Sequence, residues 1–507
     1  MPEDASLKSR VQVAVPWLIA SVVSRMLISL LGIILLVRYL APADYGIWVL
    51  LLAMTGLVKL VVSLGYDHFF ARFVPGLRER SDVSMMVWPI FVRLVLRAII
   101  VCGFVVAAFP LYSPRFGLEG SFELVLVYQA AIVSAIGSVF IVLAFSARFL
   151  QREVLILTVP HRVLMVAVIV LGIWLELDLL YFVAVSSVLG ALNLVVCVAF
   201  FRAEFRLPPL RDWFRPRPQS DEERRFRRAS YLSEYGVTFL NTEVDRYLIA
   251  VLSNRVDVAI YALATNVVER LRLVLPTQLF RPLMEATFYR RFEETGDRSE
   301  IDRMFQLLLT LTSVGSFAFV AVFVPVGREV LGVLFREEYA ASYWIVVVYL
   351  VTMFSHQMPV GLVVKALKRA DILVYGQIAV LVNLGLGIYL VTTYGAIGMA
   401  IATAISVTLK NGIMYAWVKR LMTIRLPWMG ISKCAFAAST VAGLLMLVKS
   451  AVPMPEWLIV LTLSPLALLL YGLALRLLAP LDASQRGILI AAMPPRIQRP
   501  LTLLIGS

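Results

Sequence analysis

Charged side chains are scarce in this sequence of 507 residues, because Asp, Glu, Lys and Arg together make up only 16% of it. Hydrophobic residues make up 60%, and the mean hydropathy is +0.86. A soluble domain of this size needs far more polar surface to cover its core. The composition therefore excludes an ordinary soluble globular protein and predicts a membrane protein.

Cysteine and histidine are also rare, with three of each in the chain. The cysteines all fall in apolar runs, and neither residue type has the spacing of a disulfide framework or a metal site. No G-x-x-x-x-G-K-[ST] phosphate loop occurs. No polar segment is long enough to form a glycosyltransferase domain. The sequence thus predicts a protein that is not an enzyme and has no metal or bound cofactor.

What the chain does contain is a succession of apolar runs long enough to cross a bilayer. They lie at residues 13–37, 47–64, 88–109, 123–145, 155–175, 179–201, 231–252, 256–288, 304–324, 343–364, 372–391, 396–418, 429–448 and 457–478. We therefore predict an all-α polytopic membrane protein with about fourteen transmembrane helices.

A segment rich in arginine and proline divides the chain near its middle. The predicted organisation is an N-terminal lobe of six helices (1–201), a cytoplasmic linker (202–230), a C-terminal lobe of six helices (231–418), and two further helices with a tail (419–507). The heptapeptide DYGIWVL at 44–50 is faintly similar to DVAIYAL at 257–263, and each opens the second span of its half. This similarity favours two lobes related as parallel repeats.

Lys and Arg are concentrated in alternate loops, which predicts the orientation. With the N-terminus in the cytoplasm, the arginine-rich loops and the linker all lie on the cytoplasmic side. An even number of spans then places both termini in the cytoplasm. The net charge of +14 follows from this loop bias and does not indicate nucleic-acid binding. The first apolar run is longer than the core of a cleavable signal peptide, so none is expected.

The turn between the first two spans carries a motif. The sequence RYLAPADYG begins at Arg38, and LGYDHFFARFVP begins at Leu64. Pro42 and Gly46 are helix breakers, and Asp44 is expected to cap the second helix. With the order of spans, this motif resembles the opening of the Wzx-type polysaccharide flippases of the multidrug/oligosaccharidyl-lipid/polysaccharide exporter superfamily.

The resemblance implies a function. Such a protein flips undecaprenyl-diphosphate-linked oligosaccharide units across the bacterial inner membrane by alternating access, for O-antigen, capsule or exopolysaccharide synthesis. Its expected partners are the lipid-linked oligosaccharide, membrane lipids, a polysaccharide polymerase and glycosyltransferases. Two alternatives stay open: a cation-coupled multidrug antiporter of the same superfamily, and a non-transporting scaffold subunit of a polysaccharide synthase.

Basic residues within the predicted spans are candidates for binding this substrate. They are Arg25, Arg93, Arg97, Arg270, Arg272 and Lys410. An arginine near the bilayer centre costs at least ~2.5–3.5 kcal/mol, so such residues indicate a water-filled cavity or a partner charge. A cationic cavity would suit a diphosphate, which arginine binds through two hydrogen bonds. The alternatives are that Arg93 extends to the headgroups and that Glu269 neutralises a neighbouring arginine.

Two acidic residues raise the question of ion coupling. Glu243 and Asp245 lie in the least apolar of the predicted spans and are candidates for binding H⁺ or Na⁺. The alternative is that they neutralise Arg246. Near the end of the tenth span, His356 precedes Pro359, which predicts a bend there. A lone histidine of this kind is expected to be a hydrogen-bonded core residue.

Overall fold

The computed structural model describes residues 7–77, 79–214, 218–238, 242–275, 278, 298–367, 369–482 and 485–487. Across these residues the regular structure is helical and contains no strand, so the predicted all-α class is confirmed. The chain divides into two compact units, unit 1 (Met1–Ala259) and unit 2 (Ile260–Ser507). The predicted lobe boundaries at 201 and 231 stay a prediction.

Unit 1 holds the N-terminal helices. They are α1 (Leu7–Tyr39), α2 (Pro42–Ser63), α3 (Tyr66–Phe73), α4 (Arg80–Ala107), α5 (Phe109–Tyr112), α6 (Phe122–Ala147), α7 (Gln151–Trp174), α8 (Leu179–Phe205), α9 (Asp221–Thr238) and α10 (Thr242–Leu252). Helix α11 (Arg255–Val274) crosses into unit 2. The core of unit 1 forms where α6 packs on α4 and α8, and where α2 packs on α4, α6 and α10.

Unit 2 holds the remaining helices of the described chain. They are α12 (Arg298–Leu334), α13 (Ser342–His356), α14 (Val360–Ala366), α15 (Ala370–Gly376), α16 (Ile378–Leu421), α17 (Trp428–Ala451) and α18 (Glu456–Leu478). Helix α12 is central to unit 2, since it packs against α13, α17 and α18. Polar residues of α12 such as Thr312 and Ser313 donate to carbonyls four residues back, which lets them lie fully buried.

Eleven helical segments of the described chain are long and apolar enough to cross a membrane. One of them, from Asp371 to Leu421, contains 51 residues and would be about 77 Å long as a straight helix, far more than a bilayer needs. Gly395 has φ 58° and ψ −138°, so the chain bends sharply there. This segment therefore contains both predicted spans, 372–391 and 396–418.

The predicted seventh and eighth spans are not among the eleven. The seventh, 231–252, is divided between α9 and α10, and residues 239–241 lie outside the described part. The eighth, 256–288, begins with α11, and most of its second half lies outside the described residues, as does the tail from 488. The number fourteen therefore stays a prediction.

Two local predictions have clear outcomes. The bend near Pro359 is confirmed, because α13 ends at His356 and α14 begins at Val360. The expected cap by Asp44 is wrong. Helix α2 begins earlier, at Pro42, with Ala41 as the capping residue and no side-chain hydrogen bond, so Asp44 lies in the first turn. Proline suits the first helical position because its fixed φ matches the helix.

Helices α1 and α7 pack side by side and run in the same direction. The Arg162 guanidinium donates to the Ser29 hydroxyl, and the Tyr39 hydroxyl donates to the Leu177 carbonyl at 2.7 Å. The two residues in contact differ in number by 133 at the first contact and by 138 at the second, so the numbering rises together along both helices. Three spans, α2, α4 and α6, lie between α1 and α7 in the sequence, which agrees with their parallel direction.

Helices α2 and α10 run antiparallel in very close contact. A Cβ on Gly46 would overlap the carbonyl oxygen of Arg255, the first residue of α11, and one on Gly56 would lie 2.9 Å from Cγ of Glu243 in α10. Between these points the Tyr247 hydroxyl donates to the Leu50 carbonyl at 2.8 Å. Small residues allow two helix backbones to approach in this way. The second half of the predicted seventh span is thus in direct contact with the second helix.

Candidate functional site

The α1–α7 pair carries two arginines at one depth. Arg25 is half-buried, and its Nε donates to the Ser21 carbonyl at 3.0 Å. Arg162 is exposed and hydrogen-bonds to Ser29, on the same face of α1 as Ser21 and Arg25. If the same numbering differences apply at Arg25, this residue lies level with a residue between 158 and 163 of α7. Arg162 thus contacts α1 one turn from Arg25 and on the same face, an arrangement that would suit a ligand with two negative charges.

Helix α4 presents Arg93 and Arg97 one turn apart, with different surroundings. Nη2 of Arg93 donates to the Phe214 carbonyl at 2.7 Å, so this side chain extends toward the linker. Arg97 is half-buried, and its Nη1 has no hydrogen-bond partner among the described residues. A buried donor of this kind costs free energy unless water or a ligand satisfies it. Of the two, Arg97 is the better candidate for an anion site.

The two candidates for ion coupling both lie on α10. Asp245 is fully buried, and Glu243 packs against Gly56 of α2. Next to them, Arg246 is 8% exposed, and its Nε has no hydrogen-bond partner within the described chain. Two carboxylates and one guanidinium therefore lie within one turn of α10, and Glu243 among them faces α2. This charge cluster fits either role expected from the sequence, ion binding or neutralisation of Arg246.

A second group of cations lies in unit 2. Arg272 of α11 and Lys410 of α16 are close enough to His356 of α13 to interact with it electrostatically. Three helices thus bring three basic side chains together. Near them in sequence, Arg270 is half-buried, and no described residue bonds to its Nε. Of the residues predicted for this half, the structure therefore brings together Arg272 and Lys410.

Neutral polar groups surround this cationic cluster at the bend after α13. The Ser355 and Thr408 hydroxyls are 2.8 Å apart, and the Asn411 amide donates to the Ser355 carbonyl at 2.7 Å. Gln278 donates to the Gln357 side chain. Helix ends leave carbonyl groups without helical partners, and at this bend the Asn411 amide bonds to one of the last carbonyls of α13. Hydroxyls and amides beside cations are suited to a sugar phosphate.

Two members of these clusters differ from the sequence prediction. Arg162 was not proposed as a site residue, although it lies in an apolar run and the argument used for Arg25 applies equally to it. His356 is indeed hydrogen-bonded, since its Nε2 lies 3.4 Å from the Ala404 carbonyl oxygen. It is also the neighbour of two cations, which a single sequence cannot show because they lie on other helices.

Among the described residues, neither metal-ligand side chains nor thiols form a candidate site. In the part of the chain that the structure describes, no three His, Cys, Asp or Glu residues come together as a metal site. Cys102, Cys197 and Cys434 are free and buried, as expected of small apolar side chains.

Comparison with known proteins adds a family and a fold. Residues 14–290 match the family described as "Polysaccharide biosynthesis protein". No curated protein matches the sequence.

Two solved structures are similar in fold. The first is described as "Lipid II flippase MurJ, inward closed conformation"; it has a TM-score of 0.71 and 11% identity, over 91% of this chain and 98% of that one. The second is "Crystal structure of eukaryotic MATE transporter AtDTX14", with a TM-score of 0.54 and 14% identity, over 86% of this chain and 99% of that one. At these identities the likeness concerns the fold.

Proposed function

The chain belongs to the polysaccharide biosynthesis protein family, and from this premise we propose that it flips a lipid-linked oligosaccharide across a membrane. The substrate is an oligosaccharide repeat unit on undecaprenyl diphosphate, and the membrane is the bacterial inner membrane, with both termini in the cytoplasm. Similarity to the fold of a lipid II flippase supports this proposal. Glycosyltransferases would supply the substrate, and a polymerase would consume it on the other side.

The observation that carries the proposal is the depth of the arginines. Arg25 and Arg162 are level with each other on parallel helices, and Arg97 has a buried donor with no described partner. Guanidinium groups within an apolar layer lie beside water, a partner charge or backbone carbonyls, and Nη1 of Arg97 has no such protein partner among the described residues. A diphosphate can accept two hydrogen bonds from each guanidinium. The lipid tail would remain in the bilayer while these groups hold the head.

Transport requires that the substrate bind two states of the protein differently. In the proposed cycle, an inward-open state takes the diphosphate at the arginines, and an outward-open state releases it. Binding of H⁺ or Na⁺ at Glu243 or Asp245 would drive the return. The cluster of Arg272, Lys410 and His356 would hold acidic sugars or a phosphate oxygen during the cycle.

Two alternatives predict other behaviour. A multidrug antiporter is suggested by the likeness to a MATE transporter, but the half-buried charges at Arg25, Arg97 and Lys410 are basic and would repel cationic drugs. A scaffold subunit of a polysaccharide synthase would need no charged groups within its spans. Neither alternative accounts for two level arginines on α1 and α7.

The test is the transfer of labelled lipid-linked oligosaccharide across proteoliposome membranes. We expect Arg25→Ala and Arg97→Ala each to reduce the rate about tenfold or more, because each removes charge-assisted hydrogen bonds of about 1.5–3 kcal/mol. In cells, the variants should accumulate the lipid-linked intermediate.

The control is Arg476→Ala, which removes an exposed arginine from the last turn of α18. It should transport at the normal rate. Normal transport by the Arg25 and Arg97 variants would instead support a scaffold, and efflux of cationic drugs would support an antiporter.

A further inference from the structure

The first part of the linker lies against α4. The Ser84 hydroxyl donates to the Arg206 carbonyl, the Trp213 ring centroid is 5.3 Å from that of Trp88, and Arg93 donates to the Phe214 carbonyl. The contacts on α4 advance from 84 to 88 to 93 as the linker advances from 206 to 214. The 206–214 segment therefore runs alongside α4 and in the same direction.

The level that this segment reaches follows from the sequence of α4. At 1.5 Å per residue, the nine residues from Ser84 to Arg93 span about 14 Å along the helix. The apolar run of α4 begins at Trp88, and tryptophan is typical of the membrane–water interface. The 206–214 segment thus passes from outside the apolar run to the level of its first turns, where headgroups meet acyl chains.

At this level the segment exposes apolar side chains. Leu210 is 75% exposed and Phe214 56% exposed, whereas Trp213 is turned inward and donates from Nε1 to the Pro208 carbonyl at 3.0 Å. The backbone is held on α4 through the Arg206 and Phe214 carbonyls, on either side of Leu210, which keeps both apolar residues near this level.

Arginines flank these apolar side chains. Arg211 is 83% exposed and has one neighbouring carboxylate, Asp212, at 3.5 Å. Arg206 is exposed and has φ 58°, a conformation that favours glycine. A side chain kept at a strained position points to a role for that side chain. Exposed apolar groups next to exposed guanidinium groups are the pattern of a segment that lies in a membrane interface.

We propose that the 206–214 segment is a binding site for anionic phospholipid in the leaflet on its side of the membrane. Leu210 and Phe214 insert among the acyl chains, and Arg206 and Arg211 bind lipid phosphates. Charge selects this occupant, because two exposed guanidinium groups complement an anionic headgroup. The proposal does not depend on the proposed transport function.

Insertion can be tested by fluorescence quenching in nanodiscs. In a variant whose three cysteines are replaced by alanine, Leu210→Cys and Phe214→Cys are each labelled with the fluorophore NBD. Glu222→Cys is the control, because its side chain is 73% exposed on α9. Labels at 210 and 214 should be quenched by shallow spin-labelled lipid and be about threefold less sensitive to aqueous iodide than the control.

Iodide sensitivity at 210 and 214 equal to that at 222 would overturn insertion. It would leave the segment as a water-facing surface, suited to a protein partner and not to a membrane.

Headgroup selectivity is tested by lipid composition. Phosphatidylglycerol, compared with phosphatidylcholine alone, should deepen the label at 214 and raise its quenching by spin-labelled lipid. The Arg206→Gly/Arg211→Gln variant should lose this response. It should still fold, because glycine relieves the strained φ.

The matched control is Arg225→Gln/Arg228→Gln, which removes two exposed arginines from α9 and should keep the response. Equal loss in both variants would overturn a site at 206–214.

Discussion

Two helix pairs in unit 1 are built in opposite ways. Of the residues in the most apolar stretch of each helix, 67% are buried in α2, compared with 22% in α1 and 17% in α7. A Cβ on Gly46 of α2 would overlap the carbonyl oxygen of Arg255, where α11 begins just after α10, whereas a Cβ on Gly32 of α1 would meet Val166 of α7 at an ordinary 3.6 Å. The pair in closest contact stabilises unit 1, and the more open pair carries the arginines proposed to bind the substrate.

The largest expected effect comes from filling the close contact. Gly46→Ala places a methyl group on the Arg255 carbonyl oxygen, and a backbone oxygen cannot move aside by rotating. We expect a loss of about 2–3 kcal/mol in the free energy of unfolding, as for an overpacked core. The measurement is thermal unfolding in detergent, together with the amount of protein in the membrane.

Gly103→Ala in α4 is the matched control. Outside its own helix backbone, no heavy atom of the described residues lies within 4 Å of its Cβ position, so alanine should be neutral or stabilise the helix by about 0.5–1 kcal/mol. If both variants unfold at the same temperature, the close approach of α2 to the start of α11 is not a determinant of stability.

The next effect concerns the open pair and rests on the proposed function. Arg162→Ala should lower the rate of lipid-linked oligosaccharide transfer about tenfold, equivalent to about 1.4 kcal/mol, without changing the unfolding temperature. If Arg25 and Arg162 bind one diphosphate, the double variant should lose less than the product of the single losses. Arg152→Ala, an exposed arginine in the first turn of α7, is the control and should transport normally.

The smallest effect tests one hydrogen bond of the close pair. Tyr247→Phe removes the hydroxyl that donates to the Leu50 carbonyl and should cost about 1 kcal/mol of unfolding free energy. Tyr394→Phe removes an exposed hydroxyl and should cost nothing measurable. An unchanged unfolding temperature in Tyr247→Phe would mean that water replaces this bond.

The sequence could predict features that depend on local composition. Apolar runs marked the spans, Pro359 marked a break, and an arginine in an apolar run marked Arg25 as a candidate. The same argument would have found Arg162. The predicted cap on α2 is at the wrong residue because both Pro42 and Asp44 are of types common at helix starts. The helix begins at Pro42, so Asp44 already lies inside its first turn.

Contacts between distant parts of the chain could not be predicted in this way. Arg93 bonds to a carbonyl 121 residues away, and Glu243 packs against a glycine of α2. Nothing in the composition around Arg93 or Gly56 indicates these partners, because helix packing determines them. The grouping of His356 with Arg272 and Lys410 is hidden for the same reason, since each lies on a different helix.

The sharp bend in α16 has a genetic consequence. Gly395 has a backbone conformation that side chains with a Cβ rarely adopt, and a Cβ on Gly398 would overlap the Leu390 carbonyl. Every missense change of a single base in a glycine codon adds a Cβ. The two predicted spans joined at this bend therefore depend on two codons whose missense neighbours should all destabilise the protein, and relatives that keep this bend should favour glycine at both.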